Sequence, residues 1–141
     1  MEQNKILERK DVKDINKWDL STLYKTEADW EEDLKKLSGY AEKILAYKGT
    51  LGVASKNLLD TLQLLEESEK ISERLGNYAF LNSATDAANS DYQDKQGRYI
   101  MVASTLESQI SFLIPEIQSI EDSKILSWIE EKSFDDYRVY L

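Results

Sequence analysis

The stretch that decides the fold is residues 27–47, EADWEEDLKKLSGYAEKILAY. Its apolar side chains recur every three or four residues, which places them on one face of an α-helix. They are Trp30, Leu34, Leu37, Ala41, Ile44 and Leu45. Thr26 is the predicted N-cap, and acidic residues follow it at the positive end of the helix dipole. Gly49 is predicted to end the helix in a left-handed conformation.

A second helix is predicted over residues 55–85. Its apolar stripe has two parts, Leu58, Leu62 and Leu65, and then Ile71, Leu75, Tyr78 and Asn82. The polar run 66–70 separates them, and the second part resumes about one residue out of phase. We therefore expect the helix to change its packing partner midway. Gly76 costs about 1 kcal/mol relative to alanine, and it predicts close packing of another backbone.

A third helix is predicted to start at a capping box formed by Ser90 and Gln93. Its stripe is the most regular in the chain and consists of Tyr92, Tyr99, Ala103, Leu106, Ile110 and Leu113. We expect the helix to run until Pro115, because the residue before a proline avoids helical angles.

Shorter elements flank these helices. We predict one turn at residues 19–24, a helix capped by Asp122 or Ser123, and a last turn that begins at Ser133. Short links force neighbouring long helices to run antiparallel. The expected fold is all-α, an elongated up-down bundle of three long antiparallel helices plus short C-terminal helices.

Size and composition fit one domain. The 141 residues are 41% hydrophobic and 32% charged, which supports a core and is too apolar for disorder. We expect residues 1–17 to be a mobile, mostly extended N-terminal arm and residues 18–141 to be a single helical domain. The last residues, Tyr140-Leu141, are aromatic and aliphatic, whereas termini are usually polar. We therefore expect this domain to be a lobe of a larger protein, cut at its C-terminal side.

Composition also excludes several functions. The chain has no histidine and no cysteine, which excludes histidine-based catalysis and zinc sites built from imidazole or thiolate. A net charge of −9 argues against nucleic acid and against an anionic membrane as partners. The sequence contains neither a signal peptide nor a long apolar window, so we expect a cytoplasmic protein. We assign no catalytic, cofactor-binding or metal-ligating residue to this chain.

Some side chains admit two interpretations. The tryptophans could contact a substrate, but tryptophan in a helix stripe more often belongs to the core. These residues are Trp18, Trp30 and Trp128. The acidic runs could bind a cation or perform acid–base chemistry, but a solvated helix face is favoured. The runs are 31–33, 66–67 and 130–131 with 135–136. Three tyrosines, Tyr78, Tyr92 and Tyr99, could line a channel, although packing is favoured.

The order of several short segments resembles a known family. The landmarks are Lys17-Trp18-Asp19-Leu20, Leu23-Tyr24, Trp30, Ala46-Tyr47-Lys48-Gly49-Thr50-Leu51, Leu75, Tyr78-Ala79, Asp86, Tyr92-Gln93, Phe112, Pro115-Glu116-Ile117 and Tyr137-Arg138-Val139-Tyr140-Leu141. This ordered set is similar to the N-terminal region of oligoendopeptidase F, in the thimet-oligopeptidase-like clan of zinc metallopeptidases. The similarity covers the chain from about Lys17 onward.

The resemblance implies a helical, cytoplasmic enzyme that hydrolyses short peptides in a channel between two lobes. In that family zinc is bound by the two histidines of an H-E-x-x-H helix and by a further glutamate, all in the C-terminal half. This chain contains none of these residues. It would therefore be a non-catalytic lobe that walls the channel, and its partner would be the missing C-terminal catalytic domain.

An alternative from a different class is a free-standing helical interaction module, such as a spectrin-like or adaptor bundle. Three amphipathic helices would serve either function. If the chain lacks its catalytic domain, exposed apolar faces should promote self-association. We expect such contacts at Phe134, Tyr137, Tyr140 and Leu141.

Overall fold

Three long helices form the body of the protein in the computed structural model, which describes residues 7–141. α1 spans Glu27–Leu45, α2 spans Ser55–Thr85 and α3 spans Ser90–Gln109, and each packs against the other two. Two short helices follow, α4 at Leu113–Gln118 and α5 at Asp122–Ile129. The fold is 69% helical and has no strand within residues 7–141, which confirms the predicted all-α bundle.

The N-terminus of α1 has the predicted cap. Thr26 Oγ1 accepts a hydrogen bond from the Asp29 amide at 3.2 Å, and Asp29 Oδ2 accepts one from the Thr26 amide at 3.2 Å. This reciprocal pair is a capping box. The helix ends at Leu45 rather than at Tyr47. The following turn leads to Gly49, whose φ of 81° is a left-handed conformation that glycine adopts without strain.

α2 has the predicted bounds, but its buried stripe is continuous. Ser68 lies in the middle of the polar run and is only 1% exposed. Its hydroxyl donates to the Leu65 carbonyl at 2.7 Å, so the buried group has a partner within its own helix. Ser68 falls on the same face as Leu65 and Leu75. Ser68 therefore keeps one side of α2 buried through the polar run, and the predicted change of packing partner midway stays a prediction.

The cap of α3 differs from the prediction by one residue. Asn89 is the N-cap, and its Oδ1 accepts from the Asp91 amide at 2.9 Å. Ser90 is instead the first helical residue. The Gln93 side chain does not complete a capping box, because it donates to Ser83 Oγ on α2 at 2.9 Å.

The end of α3 and the start of α5 also differ from the predictions. α3 ends at Gln109, and Pro115 lies in the first turn of α4. A proline is tolerated there because the N–H groups of a first turn have no helical partner to lose. The N-cap of α5 is Glu121, without a side-chain bond, and neither Asp122 nor Ser123 takes that position.

Single turns make up the remaining ordered segments. Two 3-10 turns, Arg9–Asp11 and Asp14–Asn16, lie in the segment predicted to be mostly extended, and a third spans Lys132–Phe134 where a cap at Ser133 was predicted. The part of the arm before residue 7 lies outside the described residues, and its mobility stays a prediction. Among residues 7–141, no helix has the length and apolarity needed to cross a bilayer.

Candidate functional site

A polar cluster around the buried Asp33 joins the segment before α1 to α1 and α2. The Tyr24 hydroxyl donates to Asp33 Oδ2 at 2.9 Å, and Arg74 Nη2 donates to the same oxygen at 2.7 Å. Lys36 Nζ reaches Asp33 Oδ1 at 3.3 Å. These side chains line a surface pocket of about 340 Å³. Asp33 is 7% exposed, so its assignment to a solvated acidic run is wrong.

The charges in this cluster are already matched. Burial raises the pKa of Tyr24 to about 12, and the hydrogen bond to Asp33 and its negative charge add to the effect. Burial alone would raise the pKa of Asp33, but the bonds from Tyr24 and Lys36 and the charge of Arg74 hold that pKa below its usual value. A carboxylate with a low pKa and three donors is a poor proton acceptor at neutral pH. The cluster therefore holds elements together, and its geometry does not favour catalysis.

Trp30 lies where α1, α2 and α3 meet. It is fully buried, which confirms its predicted place in the core. Its Nε1 donates to the Leu75 carbonyl of α2 at 3.2 Å. Cationic groups of Lys95 and Arg98 on α3 lie 5.9 Å and 5.6 Å from a ring centroid of this side chain, a cation–π arrangement. The indole is therefore fully used within the bundle and is not available to a substrate.

Two ion pairs close the contact between α1 and α3. Lys95 Nζ lies 2.7 Å from Glu27 Oε1, and Arg98 Nη1 lies 2.6 Å from Glu31 Oε1. The Arg98 hydrogen bonds hold the pKa of Glu31 below its usual value. Because the pairs advance in the same direction along both helices, α1 and α3 run parallel. This arrangement agrees with the predicted up-down connection.

Glu116 on α4 brackets the loop between α1 and α2. Its Oε2 accepts from the Gly49 amide at 2.9 Å, and its Oε1 accepts from the Leu51 amide at 3.0 Å. Nearby, Lys124 Nζ of α5 donates to the Gly52 carbonyl at 2.7 Å. Two of the landmark segments, 46–51 and 115–117, therefore meet in space. Their distance along the chain hid this contact from the sequence analysis.

The acidic run at 66–67 accepts hydrogen bonds from tyrosines. The Tyr137 hydroxyl donates to Glu66 Oε2 at 2.7 Å, and the Tyr40 hydroxyl donates to Glu67 Oε2 at 3.1 Å. Burial, with the bond to Glu66, raises the pKa of Tyr137 to about 12. These carboxylates therefore fix the C-terminal segment and α1 to α2. The second acidic cluster, 130–131 with 135–136, is exposed as predicted.

Two predictions about aromatic side chains are wrong. Trp18 is 60% exposed, because it precedes the first turn that joins the core, whereas Trp128 is half-buried against the core. Phe134 is fully buried and Tyr137 is bonded to α2. Phe134 is therefore closed to the predicted self-association patch, whereas Tyr137 is half-buried and Tyr140 is 56% exposed. Self-association itself stays a prediction.

The contact between α2 and α3 centres on Gly76. A Cβ atom at this position would lie 2.8 Å from Cζ of Tyr99, so the close neighbour is an aromatic ring and not the predicted backbone. The Tyr99 hydroxyl lies 3.1 Å from Ser72 Oγ.

Asn82 donates to the Tyr78 carbonyl one turn back at 2.9 Å, so it does not bridge two helices through this bond. The three tyrosines once considered for a channel, Tyr78, Tyr92 and Tyr99, are all half-buried.

The donor atoms of this chain do not fit zinc. Zinc sites use histidine and cysteine with some carboxylate, and this sequence has neither histidine nor cysteine. Within residues 7–141, no three aspartate or glutamate side chains come together in a way that could bind a metal ion. The strongest features of the described residues are thus contacts that hold helices together.

Known proteins are similar to this chain in sequence and in the arrangement of helices. No family model matches it. It is 31% identical to oligopeptidase PepF of Bacillus subtilis (strain 168) over 135 residues, which are 92% of this chain and 19% of that protein. The crystal structure of oligoendopeptidase-F from Enterococcus faecium matches 82% of this chain and 23% of that one, with a TM-score of 0.74 and 26% identity. The chain is thus similar to oligoendopeptidase F proteins over most of its own length.

The match corresponds to the N-terminal region of these proteins. The oligoendopeptidase F homolog of Borreliella burgdorferi is a second relative, 22% identical over 137 residues, and the match covers 95% of this chain and 22% of that protein. The chain therefore spans about a fifth of the length of the curated relatives that it matches. The predicted resemblance is confirmed.

Proposed function

We propose that this chain is the non-catalytic N-terminal lobe of a zinc-dependent oligoendopeptidase that hydrolyses short peptides in the cytoplasm. The observation that carries the proposal is the match to oligoendopeptidase-F at a TM-score of 0.74, over only 23% of that chain. The donor chemistry supports it, because 141 residues without histidine or cysteine cannot supply imidazole or thiolate ligands to zinc. The metal and the catalytic groups would lie in the remaining part of the polypeptide.

The contacts of the bundle suit the role of a rigid wall beside a substrate channel. Trp30 bonds to α2 and lies under cations from α3, and Glu116 bonds to the loop between α1 and α2. Hydrogen bonds that link separate helices and loops restrict the motion of the elements they join. A wall of this kind would limit entry to short, flexible peptides.

The coding region downstream of Leu141 tests the proposal directly. We expect several hundred further codons that include an H-E-x-x-H motif, in keeping with the fifth of the relatives' length that the chain spans. A stop codon directly after Leu141 would contradict the proposal and would favour the free-standing helical interaction module.

A cleavage assay tests the non-catalytic assignment. The 141-residue chain is mixed with zinc and a quenched-fluorescent peptide, next to a mock purification. We expect no turnover above the mock sample, because the chain offers no ligands that fit zinc. Turnover that copurifies with the chain and persists with a chelator would refute the assignment.

A further inference from the structure

The outward face of α3 is apolar and unpartnered within the described residues. We define this outer face by Gly97, Ile100, Met101 and Ser104, all of which are exposed. Ile100 is 45% exposed and Met101 is 64% exposed. Residues 99–106 contain no charged side chain, although charged residues make up 32% of the sequence. Two uncharged helical turns that expose Ile100 and Met101 favour a surface that is covered by a partner.

The other sides of α3 have partners. Lys95 and Arg98 face α1 through their ion pairs, and Tyr99 faces α2 at Gly76. Packing within residues 7–141 therefore accounts for these sides but leaves the outer face open. No contact within the bundle explains why this face of α3 is apolar.

Gly97 adds an independent observation. A glycine inside a helix costs about 1 kcal/mol relative to alanine. At Gly76 the ring of Tyr99 accounts for the missing side chain, whereas nothing lies within 4 Å of a Cβ atom placed at Gly97. A small residue on an exposed helix face, one turn from Met101, permits close approach by a surface outside the described residues.

We propose that the outer face of α3 docks against an apolar surface of the remaining part of the polypeptide. This inference rests on the proposed function. The relatives are long enough to supply that surface, because the matched region is only 19% and 22% of their length. A second copy of the chain is a poorer occupant. Each copy has a net charge of −9, and a symmetric contact would bring the two like charges together.

Thiol labelling tests this docking surface. The sequence has no cysteine, so Met101→Cys gives the 141-residue chain a single thiol. Glu42→Cys, at an exposed charged position on α1, is the matched control. Both variants are made in the 141-residue chain and in the complete polypeptide read from the coding region. Maleimide incorporation is followed by mass spectrometry of the tryptic peptides 99–124 and 37–43.

We expect the introduced thiol at 101 to react about tenfold or more slowly in the complete polypeptide than in the 141-residue chain, while the control changes by less than about twofold. Equal reactivity at 101 in both would overturn the docking surface and leave the proposed function intact. Protection that grows with concentration in the 141-residue chain would assign the face to a second copy and also overturn the proposal. A coding region that stops after Leu141 would remove the proposed function and this occupant together.

Discussion

Replacing Gly76 with alanine tests the closest contact between α2 and α3. The new Cβ atom would lie 2.8 Å from Cζ and from the hydroxyl oxygen of Tyr99, and 2.9 Å from Cε1. Real Cβ atoms do not approach other heavy atoms so closely, so the ring must move. Movement disturbs the hydrogen-bonding contact with Ser72 at 3.1 Å and the edge-to-face contact with Phe80, where the ring centroids are 6.1 Å apart.

The magnitude follows from two opposing effects. Removal of a helical glycine stabilises the folded chain by about 1 kcal/mol. Overpacking costs about 1–3 kcal/mol, and the weakened contacts of Tyr99 cost up to about 1 kcal/mol each. We expect Gly76→Ala to lower the free energy of unfolding by about 1–2 kcal/mol, which lowers Tm by about 3–7 °C for a chain of this size.

Urea unfolding followed by far-ultraviolet circular dichroism measures this change. Gly39→Ala is the matched control, because nothing lies within 4 Å of a Cβ atom at that exposed position of α1. We expect the control to stabilise the chain by about 0.5–1 kcal/mol. In a Tyr99→Ala background, Gly76→Ala should no longer destabilise. If Gly76→Ala in the natural sequence stabilises as much as the control, the reasoning about the ring is wrong.

Three further predictions concern hydrogen bonds that carboxylates accept. Glu116→Ala removes the acceptor of two loop amides and should lower the free energy of unfolding by about 1–3 kcal/mol in urea titrations. The exposed control Glu107→Ala should change it by less than about 0.5 kcal/mol. Equal effects of the two variants would show that the bonds from Glu116 to the loop do not stabilise the fold. The pKa of Asp33 is lowered, so its contribution is present above pH 3.8 and is lost as pH falls through the folded value. The Asp33→Asn variant should therefore have a lower free energy of unfolding than the natural sequence at pH 7. As the pH falls, this free energy should decrease less in the variant than in the natural sequence. The pKa of Tyr24 is raised from 10.0 to about 12, so its contribution to stability is lost as the pH rises between those values. Tyrosine absorbance at 295 nm should therefore show a second phase at higher pH, which Tyr24→Phe diminishes. A folded chain whose tyrosines all titrate near pH 10 would refute this.

Local rules predicted the helices well where one signal dominated. The bounds of α2 follow from apolar spacing, and the Thr26 cap of α1 follows from a side chain that accepts from a backbone amide three residues later. Both signals are readable over a few residues. Prediction failed where two local solutions compete. Asn89 and Ser90 are adjacent residues that both favour an N-cap, and Pro115 suits a first turn as well as a terminus. Tertiary packing decides between such alternatives.

The buried polar contacts could not be read from the sequence because their partners lie far apart. Asp33 looks like part of a solvated acidic run until Arg74, a residue of α2, is placed beside it. Ser68 looks like an interruption until its position on the buried face is known. The lack of imidazole and thiolate ligands for zinc, by contrast, could be judged from composition alone, since it depends only on which residue types are present.

The Glu116 bracket also imposes an order on events during synthesis. α1 and α2 leave the ribosome before α4, and contacts within that hairpin can form early because it is a local structure. The amides of Gly49 and Leu51 lack their acceptor until Glu116, 67 and 65 residues later, has been translated. We therefore expect the connection between the first two helices to become fully rigid only after α4 has been made, and to be more open to proteases in the nascent chain than in the finished one.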